Sequence, residues 1–319
     1  MNEIIENKSN ILVTGGGGFL GRELVRQLVA LDYKVRVVDL VESKNFPGDD
    51  YIKGDLTDPK IVEKSFEDIN YCIHLAAKSG GIGYYHKYPA TIIHENNKLY
   101  SAVFEAAVEH NVQRIIYTSS SMIYGSSGEL PMQETDLGKH ASPVSAYGFS
   151  KLIGEYYCRF FKEEFNLPYT ICRPFNIYGP EDLPGDEVAS SHVIPDLIKK
   201  IINGQYPIEI LGNGQQTRCF THVSDVARGI ILALQSPKAV NEDFNLGSDQ
   251  ETKIVDLAQM IFEICCPTKK FRSVLTEGYK MDVQRQTPVI EKAKEILGWI
   301  PEKDLRLELP IIIEQIRKH

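Results

Sequence analysis

The sequence predicts an α/β fold, a Rossmann-like doubly wound parallel sheet joined to a smaller C-terminal α/β substrate-binding region. Three observations predict it. Short apolar runs alternate with helical patterns through the first half of the 319 residues, the pattern of a parallel sheet covered by helices on both faces. The first run ends in a glycine-rich turn that opens a helix, and the second ends in an acid. From Asn176 onward the pattern becomes less regular, with turn signals at Gly179-Pro180, Pro184-Gly185 and Gly212-Asn213-Gly214.

Ile11-Leu12-Val13 suits a buried parallel strand and runs into Thr14-Gly15-Gly16-Gly17-Gly18-Phe19-Leu20-Gly21. The spacing of Gly15, Gly18 and Gly21 allows a tight turn, close approach of the backbone to a pyrophosphate, and close packing of helix on strand. Phe19 and Leu20 belong to the same turn, whose spacing differs by one residue from Gly-x-Gly-x-x-Gly. Residues 22–31 read as an amphipathic helix and 34–39 as a second strand ending in Asp39. That acid lies about 20 residues past the turn, where a carboxylate accepts hydrogen bonds from ribose hydroxyls. Its charge repels a 2′-phosphate, so the expected cofactor is NAD rather than NADP.

Further strands are expected at 51–53, leading to Asp55-Leu56, at 71–75, leading to Ala76-Ala77, and at 114–119 and 169–173. Their ends line up on the sheet edge where ligands bind in such folds. Asp55 is therefore expected near the adenine and Ala76 and Ala77 against the cofactor, although small residues also suit a tight crossing. Residues 219–245 are expected to return to the main sheet.

Tyr147 and Lys151 stand one helical turn apart in Ala-Tyr-Gly-Phe-Ser-Lys, downstream of Ser119-Ser120-Ser121. A free tyrosine has a pKa of about 10 and serves as a base near neutrality only when its phenolate is stabilised. A lysine ammonium on the same helix face does this, assisted by a nicotinamide cation. A serine hydroxyl can hold the substrate oxygen that loses its proton. The set describes a site that moves hydride.

Composition is consistent with this. With 43% hydrophobic residues the chain can bury a large core, and a net charge of −8 argues against a nucleic-acid surface. The opening residues lack the apolar stretch of a signal peptide and no apolar run is long enough to cross a bilayer, so a cytoplasmic location without a membrane partner is expected. The six cysteines are scattered without metal-ligand spacing; they are read as reduced thiols, and no metal is expected.

The glycine-rich turn, Asp39, His74-Leu75-Ala76-Ala77, the serine run, Tyr147 with Lys151, Arg173-Pro174-Phe175-Asn176, Gln216-Thr217-Arg218, Asn245-Leu246-Gly247 and Leu297-Gly298-Trp299 occur in one order. In this the chain resembles extended short-chain dehydrogenases/reductases of the nucleotide-sugar epimerase/dehydratase family over nearly its whole length. The resemblance implies an NAD-binding domain at 1–175 plus 220–247 and a nucleoside-diphosphate-sugar domain at 176–219 plus 248–319. It selects Ser120 among the serines, because the catalytic one lies four residues before the tyrosine of Tyr124-Gly125. It adds Leu56 and Lys78 to the cofactor residues, and Gly81, Ile82, Ser121, Met122, Asn176, Arg218 and Arg285 to those facing the sugar or diphosphate. Helices near 99–110 and 146–165 match the family's dimer contact, so a homodimer is implied.

Relatives with chemistry beyond C4 carry a glutamate or cysteine two positions before that tyrosine, where this chain has Met122, whose thioether has no proton to give or take. Simple oxidation and return of hydride at C4 needs only Ser120, Tyr147, Lys151 and NAD, which points to 4-epimerisation of a nucleoside-diphosphate hexose. Lys78-Ser79-Gly80-Gly81-Ile82 instead resembles a loop of the GDP-fucose synthase and GDP-mannose 3,5-epimerase branch, and Ser191-His192-Val193-Ile194-Pro195 resembles the GDP-fucose synthase segment whose histidine serves as an acid. A C4 dehydrogenase or 4-keto reductase, or a 3,5-epimerase, is thus the alternative; a non-catalytic sensor of NAD and sugar nucleotide is the one outside enzymes. Two departures leave the nucleotide and sugar open: Cys219 stands where much of the family has Asp, and Tyr279-Lys280-Met281-Asp282 where it has Arg-Pro-Gly-Asp.

Overall fold

The structure is a computed structural model describing residues 9–42, 46, 48, 50–125, 130–137, 143–185, 191–279 and 283–319. The first part of the chain runs β1 (Asn10–Thr14), α1 (Phe19–Ala30), β2 (Lys34–Asp39), β3 (Asp50–Lys53), α2 (Pro59–Phe66), β4 (Tyr71–His74), α3 (Ile82–Lys87), α4 (Pro89–Glu109), β5 (Arg114–Thr118), α5 (Ala146–Phe165) and β6 (Tyr169–Pro174). It continues with β7 (Ile177–Tyr178), α6 (Val193–Ile202), β8 (Ile208–Leu211), β9 (Thr217–Cys219), β10 (Thr221–His222), α7 (Val223–Gln235), β11 (Glu242–Leu246) and β12 (Glu251–Lys253). The last elements are α8 (Ile254–Cys265), β13 (Ser273–Thr276), α9 (Glu291–Leu297) and α10 (Leu305–Lys318).

Seven strands form one parallel sheet in the order β11-β6-β5-β4-β1-β2-β3. The chain winds outward from β1 to β3, then restarts at β4 on the other side of β1. This reversal opens a crevice at the carboxyl ends of β1 and β4. Residues 219–245 return the chain to the sheet edge, where β11 pairs with β6 from Glu242↔Thr170 to Leu246↔Pro174.

The apolar runs of the strands are buried on both faces, as a doubly covered sheet requires. Leu24, Val25 and Leu28 of α1 pack with Val226, Ile230 and Leu234 of α7 over one face. Phe66, Tyr100, Val103, Phe104 and Cys158 from α2, α4 and α5 cover the other. A third core joins Leu197, Ile198, Leu257, Ile261, Ile312 and Ile313 of α6, α8 and α10. The last segment of the chain serves two cores, because Ala293, Leu297 and Trp299 pack beside α7, with Trp299 Nε1 donating to the Asp225 carbonyl at 2.7 Å.

Two helices begin before the segments expected to be helical, 22–31 and 99–110. α1 starts at Phe19 with Gly18 as its N-cap, so the helix grows directly out of the glycine turn. α4 starts at Pro89, and its buried stripe runs Ile92, Asn96, Tyr100. A buried Asn interrupts the apolar pattern while its amide is fully used, accepting from the Lys78 amide at 2.6 Å and donating to Ser150 Oγ at 3.0 Å.

Candidate active site

A cavity of about 840 Å³ follows the carboxyl edge of the sheet from Asp39 and Asp55, across the β1/β4 crevice, to His192 and Arg218 in the smaller region. Every residue that the sequence nominated lines it except Arg285. Arg285 instead makes a bidentate pair with Glu251, both bonds 2.8 Å, which with the Thr217 hydroxyl holds the Glu251 carboxyl down to about 2.

At the Asp39 end the backbone of the turn is bare. Gly15 has φ +71°, and a Cβ there would lie 2.8 Å from both the nitrogen and the α-carbon of Ala76. Asp39 closes the turn at the end of β2, accepting from the Gly17 amide at 3.0 Å and from the Val41 amide at 3.1 Å. Asp55 accepts from the amide and the hydroxyl of Thr57 at 2.8 and 2.9 Å. Thr14 links the turn to β4: its hydroxyl accepts from the Ala76 amide at 3.2 Å and lies 2.7 Å from His74 Nδ1. Burial, then the Lys151 charge, push His74 down to about 3, so its ring is neutral. On the cavity floor Thr118 Oγ1 and Ser119 Oγ are buried without partners. A glycine cradle at the start of α1, an acid at the end of β2 and unpaired hydroxyls at the end of β5 fit a dinucleotide.

Ser120, Tyr147 and Lys151 meet in the middle of the cavity. Ser145 caps α5 by accepting from the Gly148 amide at 3.0 Å, which sets Tyr147 and Lys151 on the first two turns. Ser120 caps the short turn at 121–124, accepting from the Met122 amide at 3.2 Å. The Lys151 ammonium lies 5.9 Å from the Tyr147 ring centre and donates to the Thr118 carbonyl at 2.7 Å. Burial pushes Tyr147 up to about 12, against hydrogen bonds from Ser120 and Tyr85 that pull it down, and pushes Lys151 down to about 7. The pocket thus resists charge on either group, and a cation beside Tyr147 would favour its phenolate.

At the far end His192 Nδ1 lies 3.0 and 3.2 Å from the two carboxylate oxygens of Asp182. Arg218 Nη1 donates to the carbonyls of Thr217 and Val283, each at 2.7 Å. Asn176 sits at φ +38°. Ser121 and Met122 face Gln286, whose Nε2 lies 3.4 Å from the Ser121 carbonyl and 3.9 Å from Met122 Sδ. Cys219, at the family's acid position, is buried, which pushes its thiol up to about 12. Lys280, Met281 and Asp282 lie outside the described residues.

Sequence reasoning missed three contributors. Thr118 takes part through its carbonyl, which carries no side-chain signal. Asp182 carries no sequence signal because its histidine partner is ten positions away, at the start of α6. Tyr85, on α3 just after the Gly80-Gly81 loop, has no local signal for its stacking on Tyr147. Among the described residues no helix is long and apolar enough to cross a membrane.

Residues 11–247 match the model of the NAD dependent epimerase/dehydratase family. The chain is 30% identical to a putative UDP-glucose 4-epimerase of Methanocaldococcus jannaschii, covering 97% of this chain and 99% of that one. It superposes on the crystal structure of a Thermotoga maritima UDP-glucose 4-epimerase with UDP-glucose at a TM-score of 0.86, with 30% identity over 97% of this chain and 99% of that one. A Bacillus cereus UDP-glucuronic acid 4-epimerase, in complex with UDP-glucuronic acid and NAD, gives 0.85 at 27% identity with the same coverage. The glycine cradle, the acid at the end of β2 and this full-length likeness identify the chain as a member of the NAD-dependent epimerase/dehydratase family, an extended short-chain dehydrogenase/reductase whose cofactor is NAD.

Proposed function

We propose that the chain is an isomerase that inverts C4 of a nucleoside-diphosphate hexose through a transient 4-keto sugar. The observation that carries this reading is Ser120, Tyr147 and Lys151 lining one cavity in which Met122 occupies the place of an acid–base residue. NAD, bound along the glycine cradle and Asp39, supplies the acceptor and later the donor of the C4 hydride. Tyr147 as phenolate takes the proton of the C4 hydroxyl while Ser120 holds that oxygen, and the proton returns from Tyr147 after the sugar has turned its other face. Lys151 lowers the tyrosine's cost of ionisation when it is protonated and holds the nicotinamide ribose. Asn176 and Arg218 bind the sugar and diphosphate. The 4-epimerases among the relatives support the reading.

A second reading, a C4 dehydrogenase, 4-keto reductase or 3,5-epimerase, is favoured by His192, held by Asp182 in the same cavity. We further assign a homodimer, formed through the outer faces of α4 and α5, where Tyr156 and Phe160 are exposed. The deciding experiment is incubation with a panel of UDP-, GDP- and dTDP-sugars without added cofactor, followed by product separation and absorbance of reduced NAD. An isomer of equal mass with no lasting signal is expected, and it should vanish in Tyr147→Phe. A ketosugar with persistent reduced NAD would replace the epimerase reading by the dehydrogenase one.

A further inference from the structure

Tyr85 takes no part in the chemistry assigned above, yet its ring lies flat against that of Tyr147. The centroids are 4.5 Å apart and the planes differ by 4°. The two hydroxyls are hydrogen-bonded to each other. Tyr85 stands on α3, directly after Gly80-Gly81, and α3 is held from two sides. Behind it, Asn96 ties the Lys78 backbone to Ser150, whose hydroxyl donates to the Tyr147 carbonyl at 2.8 Å. Ahead of it, His86 stacks on Tyr279 of the smaller region, 4.6 Å apart and 8° from parallel. A parallel aromatic pair at this distance restricts the rotation of both rings.

We propose that Tyr85 is a positioning residue for Tyr147: its ring keeps the Tyr147 phenol aligned with Ser120, and its hydroxyl donates a hydrogen bond to the Tyr147 oxygen that favours ionisation. The inference deepens the epimerase reading and rests on Tyr147 acting as the base. The groups facing Tyr147 come from four elements: Lys151 on its own helix, the Ser120 hydroxyl after β5, Tyr100 on α4 and Tyr85 on α3. Ser120 and Tyr85 are the two that stabilise its phenolate by hydrogen bonds, and Ser120 also caps its own turn. Beyond them, burial keeps Tyr100 neutral and His74, beside Lys151, is uncharged.

The test compares wild type, Tyr85→Phe and Tyr85→Leu in the presence of NAD. Tyr147 ionisation is read as the ultraviolet phenolate signal of each protein minus that of the same protein carrying Tyr147→Phe, and the pH profile of kcat/KM is recorded with the turned-over sugar. Tyr85→Phe keeps the stack and is expected to move both the titration midpoint and the acid limb up by roughly one pH unit, with NAD affinity unchanged. Tyr85→Leu is expected to lower kcat by about tenfold or more at every pH as well. A midpoint unmoved in Tyr85→Phe overturns the proposal, whatever the leucine variant does. Because the absorbance titration needs no turnover, a protein that converts no sugar would remove the epimerase reading and leave this test readable.

Discussion

Arg173 and Glu155, both without any exposed side-chain surface, form a bidentate ion pair with two 2.8 Å bonds that clamps β6 to α5 one turn beyond Lys151. Asp243 at 2.6 Å takes part of the same guanidinium charge, and the Tyr124 hydroxyl accepts from it at 3.0 Å. The charged network therefore sits directly behind the helix that carries Tyr147.

Removing one member of a buried pair strands the other in a medium that solvates it poorly. Glu155→Gln is expected to lower stability by about 3–5 kcal/mol. The midpoint and slope of urea unfolding measure it; a loss below about 1 kcal/mol would mean that Asp243 alone satisfies Arg173.

Gly15→Ala should act on the cofactor. The residue has φ +71°, and an added methyl would meet the Ala76 backbone at 2.8 Å, so the turn must shift away from the place where a pyrophosphate approaches it. Weakening of NAD binding by about tenfold or more is expected in calorimetric titration. Wild-type affinity in the variant would show that the cofactor does not lie on this turn.

His192 predicts a pH dependence. Its side chain is 52% exposed, and the charge and hydrogen bond of Asp182 outweigh the desolvation it meets in the cavity and raise its pKa above the ordinary value. A folded pKa above the unfolded one makes a contribution fully present below about pH 6.5 and lost as pH rises through the folded value. The stability gap between wild type and Asp182→Asn should therefore be widest in acid and shrink into the neutral range. Thermal melting over a pH series checks it, and a gap that grows with pH would reverse the assignment.

Phe160 is 57% exposed and Tyr156 44% exposed on one side of α5. If two copies meet there, Phe160→Lys should shift the sedimentation coefficient from dimer to monomer at micromolar concentration, with NAD binding retained. A wild-type protein that sediments as a monomer would withdraw the homodimer assignment.

Much of the fold was legible because its signals are local. The runs at Ile11-Leu12-Val13 and Lys34–Asp39 are strands because the first is apolar throughout, the second carries buried Val35, Val37 and Val38, and each ends in a turn or an acid. α4 begins ten residues before the segment at 99–110 that the resemblance marks, and the added turns carry Asn96, polar in sequence, whose amide is spent on Lys78 and Ser150. Of the candidate site, the nominated residues share one cavity apart from Arg285, whose charge is taken by Glu251 at 34 positions' separation.

By itself the sequence determined the parallel α/β sheet, the glycine cradle facing an acid, and the pairing of Tyr147 with Lys151 on one helix face, because strand length, turn conformation and helical period are properties of neighbouring residues. Only the tertiary structure decided that Tyr85 lies on Tyr147, that Asp182 holds His192, that Arg285 turns to Glu251 and that Trp299 packs beside α7. These contacts join residues of different elements, and each is selected by how helices and strands pack around the common cavity and cores, a competition among burial, charge and geometry that no local pattern encodes.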